Sequence, residues 1–236
     1  NYILQQLLLY LSFLHFTNCY TNINIIMNSF KFYINKYSFI KDEKPDTSFI
    51  PMLMRRKLDN FGKAGLYTLY NVYHNDKNYK LIFASCYGDI ERVIKLINQR
   101  KEEGEISPTG FSFSVHNATI GLFSLLNSIK TSYNSISAGE ETIANALLEA
   151  IIDSKTQPVI LCYTENDKTP ESIAISISQD RENEESIEVT VNITNNDEIT
   201  PIFFNNLVEF LKGETKTLSS KLYTLIRGWY ENYPKY

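Results

Sequence analysis

The stretch YNSISAGEETIANALLEA, residues 133–150, decides how the fold of this 236-residue chain is interpreted. Its first residues have the character of a short strand. Small residues then form a turn, and a segment with helical apolar spacing follows. In α/β enzymes a strand–turn–helix junction often carries a catalytic nucleophile. Here the turn reads Ser137-Ala138-Gly139 and holds no cysteine. The junction therefore has the form of a nucleophile elbow without a cysteine nucleophile.

Strand and helix patterns alternate on both sides of this elbow. Apolar runs or apolar–polar alternation predict strands at residues 29–40, 157–165, 171–180 and 187–193, and a buried strand followed by a turn within residues 79–89. Helical spacing predicts helices at residues 51–75, 90–104, 142–152 and 201–213, and a loop followed by a helix at residues 106–130. This alternation predicts an α/β fold, a layered mixed sheet with flanking helices. Parallel strands are expected around Ile82, Ile136 and Ile160.

Three details of this pattern are open to test. Gly62 and Gly65 interrupt the helical segment at residues 51–75, which indicates either a break or a close contact. The strand at residues 187–193 follows a charged turn, and we expect it near an edge of the sheet. The final residues, 217–236, are predicted to form a last helix or a tail.

Composition excludes several classes of function. The chain has 23 basic and 27 acidic residues and a formal charge of −4, which argues against a general nucleic-acid binder. Its three cysteines, Cys19, Cys86 and Cys162, are widely separated, and its three histidines are scattered, so neither a zinc site nor another metal centre is expected. Free thiols are typical of a reducing compartment, which predicts a cytoplasmic protein. We also expect no bound cofactor.

Residues 1–26 differ in character from the rest of the chain. They begin with an apolar run that contains Gln5, Gln6 and His15 and has no basic residue ahead of it. This pattern fits neither a secretory signal nor a clean membrane span. Met27 directly precedes the first predicted strand. We therefore interpret residues 1–26 as an upstream segment that is not part of the domain, with a degenerate membrane anchor as the alternative, and residues 27–236 as one domain.

Three segments in order resemble the N-terminal half of a β-ketoacyl synthase. They are SPTGFSFSVHNATIGLFSLL, SISAGEETIANALLEAI and PVILCYTE, which lie within residues 107–165. The layout is most similar to the short ketosynthase-like subunits, described as chain-length factors, of aryl-polyene, xanthomonadin and flexirubin pigment clusters. The resemblance implies the N-terminal half of a thiolase-like fold. It extends over about residues 30–229 in layout and is specific only in the three quoted segments.

The resemblance also implies which chemistry is missing. In ketosynthases the elbow carries a cysteine, and laying this sequence on that pattern puts Gly139, or Ala138, at the cysteine position; a shift by one or two residues brings Ser137 or Glu140 there. Condensation needs a thiolate to hold the acyl chain and imidazoles to stabilise the enolate. The family draws two histidines from its C-terminal half, whereas this chain has no histidine after His116. The resemblance therefore implies that this chain is a non-catalytic subunit.

By the same resemblance, the partner would be a full-length β-ketoacyl synthase whose acyl tunnel this chain helps to shape. The expected interface and tunnel residues are Phe111, Phe113, His116, Asn117, Ile120, Phe123, Tyr133 and Ile136, with the elbow residues Ser137, Ala138, Gly139, Glu140 and Glu141. The basic residues Arg55, Arg56, Lys57 and Lys63 could contact an acidic acyl carrier protein, although a solvated helix face is the simpler explanation, because exposed charge runs rarely need a function. Phe111 and Phe113 could instead fill the core of the chain itself.

Other hypotheses remain open at this point. The chain could be a small acyltransferase or thioester hydrolase that uses Ser137 or Cys162, although no GxSxG signature surrounds either serine candidate, Ser114 or Ser137. It could also be a fragment of a longer ketosynthase. Cys86 and Cys162 both lie in or directly after apolar runs, where a cysteine is usually a small core residue.

Overall fold

A computed structural model describes residues 29–166, 169–194 and 201–228 of the chain. The helices are α1 (Met52–Arg55), α2 (Asn60–Val72), α3 (Ile90–Glu103), α4 (Pro108–Ser112), α5 (Ala118–Leu126), α6 (Thr142–Asp153) and α7 (Phe204–Lys212). The strands are β1 (Ser29–Lys41), β2 (Lys80–Ala84), β3 (Tyr133–Ile136), β4 (Val159–Asn166), β5 (Pro170–Ser178), β6 (Ile187–Ile193), β7 (Thr217–Ser219) and β8 (Tyr223–Arg227). The predicted segment 1–26 lies outside the described residues.

All eight strands join one mixed sheet in the order β3-β2-β4-β5-β1-β6-β8-β7. Strand β2 pairs in parallel with β3 and with β4, so that Ile82 lies beside Asn134 on one side and Leu161 on the other. The remaining pairs are antiparallel. The predicted α/β mixed sheet and its parallel strands around Ile82, Ile136 and Ile160 are therefore confirmed.

Helices cover both faces of the sheet, and the alternation of side chains along β4 shows how. Val159 and Leu161 enter a core that contains residues of α6 and α7, whereas Ile160 and Cys162 enter a second core that contains residues of α2 and α5. A strand that is buried on both faces reads as a continuous apolar run, which is the pattern that the sequence shows at residues 159–163. Among the described helices, none combines the length and the apolar character needed to cross a bilayer.

Three local predictions need correction. The helical segment at residues 51–75 is interrupted before Asn60, where Asp59 caps α2, and not at a glycine. Strand β6 lies inside the sheet, between β1 and β8, because the hairpin β7–β8 extends the sheet beyond it. The residues at 217–227, predicted as a helix or tail, form that hairpin. Buried and half-buried side chains alternate only briefly along β8: Tyr223 and Leu225 are buried, while Thr224 and Ile226 are half-buried.

Gly62 and Gly65 were predicted to mark either a break in the helix or a close contact, and the structure shows a close contact. A Cβ atom on Gly65 would lie 2.9 Å from Thr119 Cγ2 of α5 and 3.0 Å from Thr164 Oγ1 of β4. A side chain at this position would therefore push α2 away from the sheet. Gly62 is similarly close to the Leu58 side chain, at 2.8 Å from Cδ2.

Candidate functional site

The candidate site lies where the parallel strands β2, β3 and β4 end. Carboxyl ends of parallel strands meet at one edge of a sheet, which is where α/β proteins place ligands and reacting groups. Here that edge holds the turn Ser85–Gly88 after β2, the elbow Ser137–Gly139 after β3, and Glu165 near the end of β4. The three segments are connected by hydrogen bonds between side chains and backbone.

Glu165 organises the turn after β2. Its Oε2 atom accepts hydrogen bonds from Ser85 Oγ at 3.1 Å, from the Cys86 amide at 2.6 Å and from the Tyr87 amide at 3.4 Å. Burial raises the pKa of Glu165, and the bonds from the Cys86 amide and the Ser85 hydroxyl act in the opposite direction. Ser85 Oγ in turn accepts from the Gly88 amide at 2.8 Å, so one buried carboxylate fixes the whole turn.

The elbow is attached to this turn through Cys86. Ser137 Oγ donates to the Cys86 carbonyl at 2.9 Å. On the helix side, the Ala138 amide donates to Thr142 Oγ1 at 2.9 Å, and Thr142 Oγ1 donates to the Gly139 carbonyl at 2.7 Å. These bonds tighten the turn into a 3-10 segment, Gly139–Glu141, that leads directly into α6.

Gly139 has the backbone geometry that requires a glycine. Its φ angle is +57°, in the left-handed region, and no heavy atom lies within 4 Å of the place where a Cβ atom would be. An L-residue here would pay about 1–2 kcal/mol of backbone strain. A strained strand-to-helix turn that aims one residue into open space is the geometry of a nucleophile elbow. The elbow residues Ser137–Glu140 are all exposed, and Glu141, which follows, is half-buried.

His116 is held against the same turn. Its Nε2 atom lies 2.9 Å from the Ser85 carbonyl oxygen. A carbonyl can only accept, so Nε2 carries the proton. The imidazole packs edge-on against Phe83, with 5.8 Å between ring centroids. His116 thus anchors the loop between α4 and α5 over the end of β2.

The other predicted interface residues divide into exposed and buried groups. Phe111 and Asn117 are exposed, and Phe113 is half-buried between the core and the Arg92 guanidinium, 5.8 Å above its ring. On β3, Tyr133 is exposed and Ile136 is half-buried. Ile120 and Phe123, in contrast, are buried in the core beneath α2. We therefore drop Ile120 and Phe123 from the expected interface, because their side chains pack only inside the chain itself.

Two carboxyl groups converge on Arg92 next to the turn. Arg92 Nε lies 2.7 Å from Asp89 Oδ2, and Arg92 Nη2 lies 2.8 Å from Asp59 Oδ2. Burial, and after it a hydrogen bond with Asp59, raises the pKa of Asp89 to about 7. Burial also acts to raise the pKa of Asp59, but the hydrogen bonds from Asp89 and from the Gly62 amide, together with Arg92, outweigh it and lower that pKa. We call Asp59, Asp89 and Arg92 the carboxylate cluster.

The basic residues do not form part of this cluster. Arg56 and Lys57 are exposed after α1, and Arg55 and Lys63 are half-buried on α1 and α2. Their contacts with the cluster run through backbone atoms: the Lys57 carbonyl accepts a 3.2 Å bond from Arg92 Nη2, and the Lys63 amide donates to the Asp59 carbonyl at 3.1 Å. These four side chains share one end of α1 and α2, but within the described residues no acidic side chain is ion-paired with them.

Neither nucleophile candidate is activated. Cys162 is fully buried, and burial raises its pKa, so that it stays a thiol among Thr68, Thr164 and Ser172. Ser137 donates to a backbone carbonyl, and in the described part of the chain no imidazole or carboxylate hydrogen-bonds to its hydroxyl. Cys86 was expected to be a small core residue, but it is half-buried at the turn after β2. No three metal-ligating side chains cluster within the described ranges.

Several residues of this site were not predicted from the sequence. Ser85, Asp89, Arg92 and Glu165 hold the turn and helix α3, yet none belongs to a known motif. One signal was available: Glu165 is a carboxylate at the end of an otherwise apolar buried strand. Such a group must be satisfied by neighbouring donors, which implies a nearby turn with free amides.

Comparisons with known proteins agree with this geometry. A family model described as the β-ketoacyl synthase N-terminal domain matches residues 34–194, more than half of the chain. No curated protein matches. Among solved structures, a chain of the ketosynthase (ApeO) in complex with its chain length factor (ApeC) from Xenorhabdus doucetiae is similar, with a TM-score of 0.66 at 17% identity. The match covers 84% of this chain and 100% of that chain.

Two further solved structures are less similar. The ishigamide ketosynthase/chain length factor has a TM-score of 0.48 at 12% identity, covering 54% of this chain and 46% of that one. A β-ketoacyl synthase from Burkholderia phymatum STM815 has a TM-score of 0.47 at 11% identity, covering 59% and 46%.

Proposed function

Because the chain belongs to the β-ketoacyl synthase N-terminal domain family, we propose that it is a non-catalytic subunit that pairs with a full-length β-ketoacyl synthase. In this complex it would act as a chain-length factor, helping to shape the acyl tunnel in the biosynthesis of a polyene or fatty-acyl-type pigment. The solved ApeO–ApeC complex supports the proposal, because the fold of this chain matches one chain of that complex over its whole length.

The observation that carries the proposal is the empty elbow. Gly139 keeps the left-handed backbone and the open space of a nucleophile position, but it supplies no side chain. The hydrogen bonds from Ser137, Ala138 and Thr142 maintain the turn. A turn that is kept in shape while it lacks its reacting atom serves the scaffold of an interface and not covalent catalysis.

Strand β3 provides the edge at which a partner would join. Its outer side pairs with no other described strand, and it contains neither a proline nor a charge, which are common protections of exposed edges. Leu125 at the end of α5 and Ile152 at the end of α6 are both exposed, and their helices reach β3 through Gly121, beside Tyr133, and through Glu149, which accepts a bond from Asn134. Adding a strand of the partner here would bury all of these groups together.

The side chains of α4 and of the loop that follows it would then line the end of the partner's tunnel. Phe111 is the most open of the bulky candidates, His116 and Asn117 follow it, and Phe113 is held partly by Arg92. An acidic acyl carrier protein would approach the complex along Arg55, Arg56, Lys57 and Lys63. An independent hydrolase is disfavoured, because Cys162 is buried and Ser137 has no base beside it.

Co-expression with the full-length ketosynthase of the same genome tests the pairing, with a tag on this chain only and size-exclusion chromatography of the purified material. We expect a one-to-one complex, and aggregation of this chain when it is expressed alone. Leu125→Arg should abolish co-purification, whereas Leu53→Arg should not; both leucines are 70% exposed, but Leu53 lies on α1. A soluble monomer that ignores the ketosynthase would refute the proposal.

The tunnel role needs a product assay. Phe111→Ala and Phe113→Ala should lengthen the acyl product of the complex, with the longer product from Phe111→Ala because its ring is not packed into the core. An unchanged product length from an intact complex would contradict the tunnel role and leave the pairing standing. Turnover of acyl thioesters by the pure chain, lost in Ser137→Ala, would instead establish the hydrolase.

A further inference from the structure

Helix α3 leaves its apolar side uncovered. It is 14 residues long, yet none of its residues is buried. Ile90, Ile94 and Ile97 recur at helical spacing, and Ile94 and Ile97 are 51% and 49% exposed. An amphipathic helix in a globular protein normally turns such a stripe toward a core, so this stripe is suited to a surface outside the chain.

The exposure does not come from a detached helix. At its start, Asp89 caps α3 by accepting from the Arg92 amide, and the carboxylate cluster joins it to the start of α2. Near its end, the Gln99 side chain accepts from the Ser107 amide, which begins α4. The helix is thus fixed at both ends with its isoleucines facing outward.

A groove runs between α3 and α4. Its volume is about 690 Å³, and its lining combines apolar side chains with two cations and one hydroxyl: Val93, Leu96, Ile97, Ile106, Phe111, Arg100, Lys101 and Ser114. Together with the outer isoleucines it forms an exposed apolar patch, the kind of surface that marks interaction sites. We call this surface, including Ile90 and Ile94, the α3–α4 groove.

We propose that the α3–α4 groove is a second docking surface for the ketosynthase, continuous with the edge of β3. The inference rests on the proposed function. A four-residue strand such as β3 covers far less than the roughly 800 Å² that each partner of a stable complex buries. The pairing therefore needs a further apolar surface, and the groove offers one.

Position and charge both favour this occupant. Helix α3 begins four residues after Cys86, whose carbonyl holds Ser137 at the end of β3, so that one partner surface can cover both. The groove itself has Arg100 and Lys101 and no acidic lining residue. The matching element of the ketosynthase is then an apolar helix or loop with a carboxylate opposite these two cations.

Affinity measurements on the purified complex test the assignment. Phe111→Asp and Ile97→Asp should weaken binding of the ketosynthase at least about tenfold, because each puts a charge into a desolvated apolar contact. Phe203→Asp is the matched control: Phe203 is 57% exposed and Phe111 55%, but Phe203 precedes α7, which packs beside β7 at the opposite edge of the sheet. Circular dichroism would verify that each variant is folded.

Amide hydrogen exchange provides the second readout. Residues 90–103 should gain protection when the ketosynthase binds, together with residues 133–136. Unchanged affinity in both groove variants, or no added protection of α3 in a complex that protects β3, would overturn the groove assignment and leave the proposed pairing intact. Protection of α3 by the carrier protein and not by the ketosynthase would also overturn it. Failure of the wild-type chain to bind any ketosynthase would refute the proposed function instead.

Discussion

Replacing Asp89 with asparagine should change how the stability of the chain depends on pH. In the native structure, burial and the hydrogen bond with Asp59 raise the pKa of Asp89 from 3.8 to about 7. The folded state therefore holds a proton that the unfolded chain releases above its own, lower pKa. The stabilisation linked to this proton is present below pH 4 and is lost as the pH rises to about 7.

The size of the effect follows from the pKa change. A shift from 3.8 to about 7 corresponds to about 4 kcal/mol if the groups were fully shielded from water. Water screens part of the interaction, so we expect a smaller effect. The wild type should lose about 1–2 kcal/mol of unfolding free energy between roughly pH 4 and pH 7 through this group.

Urea unfolding followed by circular dichroism at four pH values measures the loss. Asp89→Asn keeps an oxygen that can cap α3 but cannot titrate, so its free energy of unfolding should change less with pH than that of the wild type. All other titratable groups are present in both proteins, so the difference between the two profiles isolates the contribution of Asp89. Parallel profiles, or a wild type that gains stability relative to the variant as the pH rises, would refute the reasoning.

Three further experiments test the backbone strain at the elbow, the close contact of α2 and the accessibility of the thiols. Gly139→Ala should destabilise the chain by about 1–2 kcal/mol through left-handed strain alone, as should Gly104→Ala, since neither Cβ meets an atom within 4 Å; urea midpoints that stay at the wild-type value would contradict this. Gly65→Ala should cost about 1–3 kcal/mol despite the better helix propensity, because the new methyl group lies within 3.0 Å of two neighbours; equal or higher stability would count against the packing argument. In the native chain, a thiol reagent should modify Cys86 and leave Cys162 unmodified until urea unfolds the core; rapid labelling of Cys162 would show that its strand opens easily.

The sequence predicted the sheet best where periodicity and burial agree. The run at residues 159–163 is apolar because both faces of β4 are buried, and its neighbours follow from the strand–helix alternation. The hairpin β7–β8 was missed because the sequence at residues 217–227 is too short and too mixed for either periodicity to dominate. The break before α2 was missed because apolar spacing continues across Asp59, whose capping bond is visible only in three dimensions.

The site was predicted in outline but not in its interactions. The elbow and its missing cysteine are local features, and a strand–turn–helix pattern is sufficient to find them. Glu165, Ser85 and Arg92 act through contacts with residues that are far away in the sequence, and no local pattern encodes such contacts. Ile120 and Phe123 were assigned to an interface because they lie near His116 in the sequence, whereas α5 turns their side chains into the core.

The two edges of the sheet differ in how well they are protected against pairing with another strand. At the β7 edge, the strand is three residues long and is bordered by Glu214, Lys216 and Lys221, a form that discourages further pairing. At the β3 edge, the strand is uncharged, and most of the large exposed apolar side chains of the described residues lie between residues 87 and 152. The cores on the two faces of the sheet nevertheless consist of buried side chains of this chain alone. The exposed apolar side chains are therefore not needed to complete either core. Their position at the surface is explained by the binding of a partner, which would bury them.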